Sequence, residues 1–186
     1  MSTITIGNYT VELSLYPFRG YSEADSEEKY DLIHLENSEY SFTTIAVIKV
    51  HLAEKLFKSA LIGAVGGGTG VFENSFVAEL DRIAICCSDS IFCLSIPDLS
   101  LIWKAKADEA TCFEIFKYKS DYIVHGELEI TRLGNNGQII WQQSGADIFT
   151  TPDSNGDTFL ITENYILATD WNNTKYKFDF DGNIIP

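Results

Sequence analysis

Polar and apolar residues alternate from the first strand-like segment. Thr3 to Ile6 and Tyr9 to Tyr16 change character residue by residue around Gly7-Asn8, which predicts a half-buried β-hairpin. The segments "YDLIHL" and "SFTTIAVIKV" are rich in β-branched and aromatic residues and read as strands. Between His51 and Ile62 the period changes. Leu52, Ala53, Leu56, Phe57, Ala60 and Leu61 recur at helical spacing, with Glu54, Lys55 and Lys58 opposite, so one short amphipathic helix is predicted over 51–62. It is the only helix that the pattern calls for.

From Phe76 onward the chain breaks into short apolar or alternating runs separated by tight polar turns. Three segments share this organisation: Phe76 to Ala107, Cys112 to Ser144, and Phe159 to Pro186. Trp103 and Trp141 are 38 residues apart, and Gly137 and Gly182 are 45 apart. Asn136-Gly137 and Asp181-Gly182 tolerate positive φ, while Ser88-Asp89, Gly126-Glu127 and Asn172-Asn173 mark the preceding hairpins. Each unit is a four-stranded antiparallel meander, the blade of a β-propeller, in which neighbouring blades bury each other's faces. The fold class is therefore all-β: a small or incomplete propeller-like array within a single domain, 1–186. Residues 1–70 form an irregular N-terminal β region, a further blade or a cap, and 71–186 form about three blade-like repeats.

"ICCSDSIFCLSIPDLSLIW" and "VHGELEITRLGNNGQIIW" resemble the pyrroloquinoline-quinone-like (PQQ-like) propeller repeat. Leu94, Leu101, Ile102 and Trp103 fill its pattern in the first repeat, and Leu133, Gly137, Ile139, Ile140 and Trp141 in the second. In the third, Asp181-Gly182 and Ile184-Ile185 match, but Pro186 stands where Trp would fall. The resemblance implies blade geometry. Three repeats fall below the four to eight blades usual for closure, and the quinone chemistry of the full-length dehydrogenases is not carried over. No cofactor is expected.

Charge narrows the choice of partner. The 186 residues hold 27 acidic against 13 basic side chains, a formal charge of −14. Nucleic acid is excluded as a partner on this balance, because neutralising phosphates needs a basic face. A hydrophobic content of 45% and a mean hydropathy of −0.01 suit a packed core better than an acidic disordered tail. No run of about 18 apolar residues would span a bilayer, and the alternating start does not read as a signal segment. The expectation is a cytoplasmic protein with no membrane partner. Cys86, Cys87, Cys93 and Cys112 form neither a C-x-x-C pair nor a zinc knuckle, and read as buried, reduced thiols.

Candidate chemistry is sparse. His125, Glu127 and Glu129 would share one face of a single straight strand and could hold a divalent metal there. The repeat alignment instead puts a hairpin at Gly126-Glu127, which separates His125 from Glu129 onto adjacent strands, so no metal site is assigned. "TPDSNGDTF" has Asp153, Asn155 and Asp157 around Gly156 but lacks the distant Glu of a calcium loop. "GGGTG" at Gly66 to Gly70 lacks a following Lys-Ser/Thr and helix, so it reads as a turn and not as a phosphate cradle. The acidic run from Glu23 to Asp31 reads as a solvated loop. No catalytic residue is assigned, since no G-x-S-x-G elbow or Cys-His pair is evident. Trp171, beside Asp170 in "DWNN", would suit a binding face if exposed.

These observations favour a non-enzymatic protein-binding module on a propeller-like scaffold, with a basic protein as the partner. An acidic, immunity-type inhibitor is one concrete version. The alternative is an enzyme or small-ligand sensor with a site near His125 and Trp171. Open sheet edges also admit a homodimer.

Overall fold

The computed structural model describes residues 1–17, 29–35, 42–151 and 158–186, and its strands form four sheets, three of them antiparallel meanders. Sheet I takes the N-terminal strands in the order β1-β2-β4-β5-β3: β1 (Ser2–Ile6), β2 (Tyr9–Leu15), β3 (Leu32–Leu35), β4 (Thr44–Leu52) and β5 (Lys55–Ala64). Its edge strand β3 runs parallel to β5. Sheet II is β6 (Phe76–Ala78), β7 (Arg82–Cys87), β8 (Ser90–Ser95) and β9 (Leu101–Lys106). Sheet III is β10 (Cys112–Tyr118), β11 (Asp121–Gly126), β12 (Glu129–Leu133) and β13 (Ile139–Ser144). Sheet IV has β14 (Phe159–Ile161), β15 (Ile166–Thr169) and β16 (Lys175–Phe178), with its fourth strand represented only by the bridge from Phe178 to Ile184.

The helix predicted over 51–62 does not form. His51 and Leu52 end β4, Ala53-Glu54 make a two-residue turn with φ of 48° and 65°, and Lys55 starts β5. Two left-handed residues suit the twist of a hairpin. The apolar run of β5 is continuous because Ala60 and Ile62 pack toward sheet II while Leu61 faces Ile45 and Val47 under Tyr16, Tyr30 and Phe42. The helical spacing combined Leu52, Leu56 and Phe57, which are exposed near the hairpin tip, with Ala60 and Leu61 of the inner half of β5, which is buried on both faces and so has no period of two.

Alternation along each strand supplies the glue between sheets. In β7, Ile83, Ile85 and Cys87 pack with Val11, Leu13 and Ile48 of sheet I. Ala84 and Cys86 point the other way, joining Cys93, Trp103, Ile115, Tyr122 and Val124 at the boundary of sheets II and III. Cys86 and Cys87 thus face different neighbours, as side chains of successive strand residues must. Ile123 and Ile130 of sheet III then meet Ile166, Ala168 and Phe178 of sheet IV. Each fully buried aliphatic or aromatic side chain contributes about 2 kcal/mol. The faces interlock in chain order, one sheet burying the next.

Candidate functional site

The second strand and the last strand of a meander finish at the same end, so the turns between second and third strands lie beside the linkers to the next sheet. Backbone hydrogen bonds tie them together. Asp89 N donates to Val65 O, and Asp108 N to Asp89 O. Glu127 N donates to Thr111 O, Phe149 N to Glu127 O, and Trp171 N to Ile148 O. One continuous row of turns therefore crosses the sheets at this end.

The glycines at the start of the row allow the close approach. A Cβ on Gly66 would lie 2.5 Å from Ala110 O, and one on Gly67 would lie 1.8 Å from Thr111 Oγ1. Gly67 N donates to Ala110 O at 2.9 Å. "GGGTG" is a packing device for two linkers.

Asp108 is the clamp of the row. It is buried, and its Oδ1 accepts from Ala110 N at 2.6 Å and Thr111 N at 2.9 Å. Its Oδ2 accepts from Leu128 N and Glu129 N, each at 2.9 Å. Gly126 makes room, since a Cβ there would lie 2.1 Å from that oxygen. Asp170 does a similar task in sheet IV. It accepts from the amides of Asn172 and Thr174 and from the Tyr176 hydroxyl, and it is fully buried. Burial works to raise its pKa, but these donors outweigh it and hold the carboxyl below its ordinary value.

The residues singled out in the sequence separate into different environments. His125 and Ile130 are cross-strand partners and share the face toward sheet IV. Glu129 precedes Ile130 and faces the other way, accepting from Glu109 N at 3.0 Å and Gln142 Nε2 at 3.3 Å. His125 and Glu129 therefore do not converge. Among the described residues, no group of three or more His, Cys, Asp or Glu is arranged to hold a metal ion. Burial and the nearby Asp108 carboxylate push Glu129 above the usual carboxylate range. Glu127 is half-buried and accepts from Thr111 Oγ1 at 2.6 Å.

Trp171 stands apart from the other two tryptophans. Trp103 is 9% exposed and Trp141 packs against the sheet IV core, whereas Trp171 is 45% exposed. Beside it, Asn172 Nδ2 donates to Asp147 Oδ2 at 2.8 Å. Leu128 is also exposed on the neighbouring turn. Asp153, Asn155 and Asp157, and most of the acidic run from Glu23, lie outside the described residues.

Both ends of the array carry carboxylates that accept from neutral groups, Asp98 and Asp179 among them at the far end, but the far end also holds several ion pairs. At the far end, Lys117 pairs with Glu79 at 2.8 Å and Arg82 with Asp81 at 3.2 Å. Arg132 there pairs with Asp121 at 2.6 Å and Asp181 at 3.6 Å. At the turn row, Lys106 pairs with Glu109 at 2.7 Å and Asp89 at 3.9 Å. Glu127 and Asp147 accept hydrogen bonds from neutral groups, and no ion pair with Lys or Arg is formed by either among the described residues; Glu129 also accepts from neutral groups but feels the attraction of Lys106. Sequence reasoning missed Asp108 and Asp147. A signal did exist, because both lie in inter-repeat linkers where short acceptors satisfy turn amides.

A shallow groove at the far end is lined by Ile4, Ile6, Ala78, Glu79 and Leu80 among others. Its one carboxylate is engaged by Lys117 and the Tyr122 hydroxyl. None of the residues singled out in the sequence lines it. No helix among the described residues is long and apolar enough to cross a membrane.

No family model matches the chain, and no curated protein matches its sequence. Solved structures do. BamB from Moraxella catarrhalis aligns with a TM-score of 0.54 at 14% identity, over 82% of this chain and 47% of that one. The computationally designed Ika8 protein aligns with a TM-score of 0.52 at 9% identity, over 76% of this chain and 45% of that one. The designed Ika4 protein aligns with a TM-score of 0.51 at 10% identity, over 82% of this chain and 99% of that one. The chain thus spans about half the length of BamB and Ika8. At such identities the likeness shows the fold alone, a β-propeller-like array of blades, and leaves the site to be argued from its own residues.

Proposed function

We propose that the protein is a non-enzymatic interaction module that docks a basic protein partner on the turn row carrying Glu127, Asp147 and Trp171. One observation carries this reading: the carboxylates of Glu127 and Asp147, which accept from neutral groups, lie on the same turn row as an exposed indole, while Arg82, Lys117 and Arg132 of the far end are held in ion pairs. A half-exposed Trp offers a large rigid contact of the kind that dominates interface energies. The formal charge of −14 would steer a cationic partner toward it over long range. An inhibitor that neutralises a basic protein, the immunity type, is the concrete version, supported by charge and size. The same reading puts the protein in the cytoplasm, with four buried cysteines that form no disulfide in support.

His125 gives no support to a catalytic role, because it is buried and both its ring nitrogens are engaged by protein groups. The test is affinity capture from the source organism at low ionic strength, comparing the wild type with Trp171→Ala. A basic protein is expected to be retained by the wild type, to elute as salt rises, and to bind Trp171→Ala about tenfold more weakly. Equal retention by both forms, or retention that ignores salt, would overturn the reading.

A further inference from the structure

His125 lies where sheet III meets sheet IV, and every group around it has a defined hydrogen-bonding sense. Its Nε2 is 2.9 Å from the Phe149 carbonyl oxygen, and its Nδ1 is 2.9 Å from Glu114 Oε2. A carbonyl oxygen can only accept, so Nε2 must carry a proton. An ionised carboxylate also only accepts, so the second contact requires a proton on Nδ1 as well. The hydrogen bond from His125 holds Glu114 below its ordinary value, which keeps that carboxyl ionised. Asn74 Nδ2 adds a second donor to Glu114, on Oε1 at 3.1 Å.

The ring faces complete the arrangement. His125 is stacked on Phe159 of β14, with centroids 4.5 Å apart and planes within 7°. Phe113 meets it edge-on at 5.6 Å. A charged ring over an aromatic face gains cation–π attraction that a neutral ring lacks. From the other elements, β12 presents Ile130 to the same face and β7 presents the Cys86 thiol toward Glu114, with burial keeping that thiol neutral. Glu114 is thus the charged group that faces the imidazole.

We infer that His125 is a pH-sensitive latch: with both nitrogens protonated it bolts sheet III to the linker and inner strand of sheet IV, and loss of one proton to solvent opens it. The neutral ring can donate only once, so either the Phe149 carbonyl or the Glu114 carboxylate loses its partner, and the attraction to Phe159 weakens. The linker that carries Phe149 also accepts from Trp171 N at Ile148 O, so the latch reaches the exposed indole through one peptide unit.

The test is amide hydrogen exchange on the wild-type chain from about pH 5.5 to about pH 8, corrected for intrinsic rates. Protection in β14 and β15 is expected to fall about tenfold across that range, while β2 and β4 of sheet I hold theirs. Glu114→Gln removes the dependence and keeps sheet IV protected at the higher pH, because its amide can donate to an unprotonated Nδ1 while Nε2 still donates to Phe149. Protection that does not change with pH in the wild type, or a full dependence retained in Glu114→Gln, would overturn the latch. If Glu114→Gln fails to fold, the ¹⁵N shifts of His125 in the wild type decide. Both nitrogens protonated at about pH 5.5 is the expected result, and an unprotonated nitrogen there refutes the proposal. None of these readouts involves a partner, so they stand or fall separately from the docking surface.

Discussion

The indole of Trp103 lies over Gly137 of the next sheet and donates its N–H to the Asn135 carbonyl at 2.9 Å. One repeat later, Trp141 lies over Gly182 and donates to the Phe180 carbonyl at 2.9 Å. In sheet I, His34 Nε2 stands 3.0 Å from the Leu99 carbonyl of the corresponding turn in sheet II. Each outer strand thus pins a ring onto the turn that follows it in the array. Gly137 and Gly182 have φ of +81° and +85°, so each is required both for its backbone conformation and for the closeness of the ring.

Gly137→Ala therefore meets two costs at once. A Cβ would lie 2.7 Å from the Trp103 ring in a left-handed conformation, and a loss of about 2–4 kcal/mol is expected in urea unfolding. Gly182→Ala, with its Cβ 2.8 Å from Trp141, should cost a similar amount. Gly7→Ala is the control, since φ is +59° with nothing within 4 Å, and about 1 kcal/mol is expected.

Asp108→Ala leaves the amides of Ala110, Thr111, Leu128 and Glu129 without their acceptor. A loss of about 3 kcal/mol or more is expected in equilibrium unfolding. Asp108→Asn should fall between wild type and Ala, because one oxygen still accepts while the amide nitrogen faces donors.

Glu129→Gln is expected to stabilise the protein at neutral pH. Burial and Asp108 raise the folded-state value of Glu129 above its unfolded one, so the folded chain binds the proton more tightly. The associated stability is fully present below the unfolded value of about 4.5 and is lost as pH rises through the folded one. Gln keeps an acceptor for Glu109 N without the charge. Thermal unfolding should show a higher midpoint than wild type near pH 7 and a vanishing difference near pH 4.

The cysteines should be silent in the native state. Cys86, Cys87, Cys93 and Cys112 are all buried, and burial pushes Cys93 up to about 11 and Cys86 and Cys112 well above the ordinary thiol value. A thiol-reactive chromophore is expected to label none quickly in buffer and all of them in denaturant.

Trp103, Trp141 and the two Asx-Gly turns made the blades legible in the sequence, because a ring pinned to a glycine must recur with the repeat. Sheet I was harder to read, for two physical reasons. Its β4–β5 turn uses Ala53-Glu54 in place of a Gly or Asn, and β5 passes from exposed apolar residues at Leu56 and Phe57 to a stretch buried on both faces, so neither turn chemistry nor alternation announced a hairpin. The site was legible only in part. Trp171 was flagged and is exposed, but the surroundings of His125 come from Phe149 and Phe159, contributed by the next linker and strand, which no local pattern could bring together. The repeat pattern puts a hairpin at Gly126-Glu127; the structure has it one residue later, at Glu127-Leu128, and the pairing of His125 with Ile130 sets Glu129 on the opposite face.

The central claim, that the turn row is a docking surface for basic chains, is tested most directly by a hydrogen-exchange footprint with an arginine-rich peptide at low salt. Protection is expected at Glu127 to Glu129, Asp147 to Phe149 and Trp171 to Asn172, with a change in the fluorescence of the exposed Trp171 and loss of both as salt rises. Protection confined to the far-end turns around Glu79, Asp121 and Asp179, or no protection at all, would contradict it.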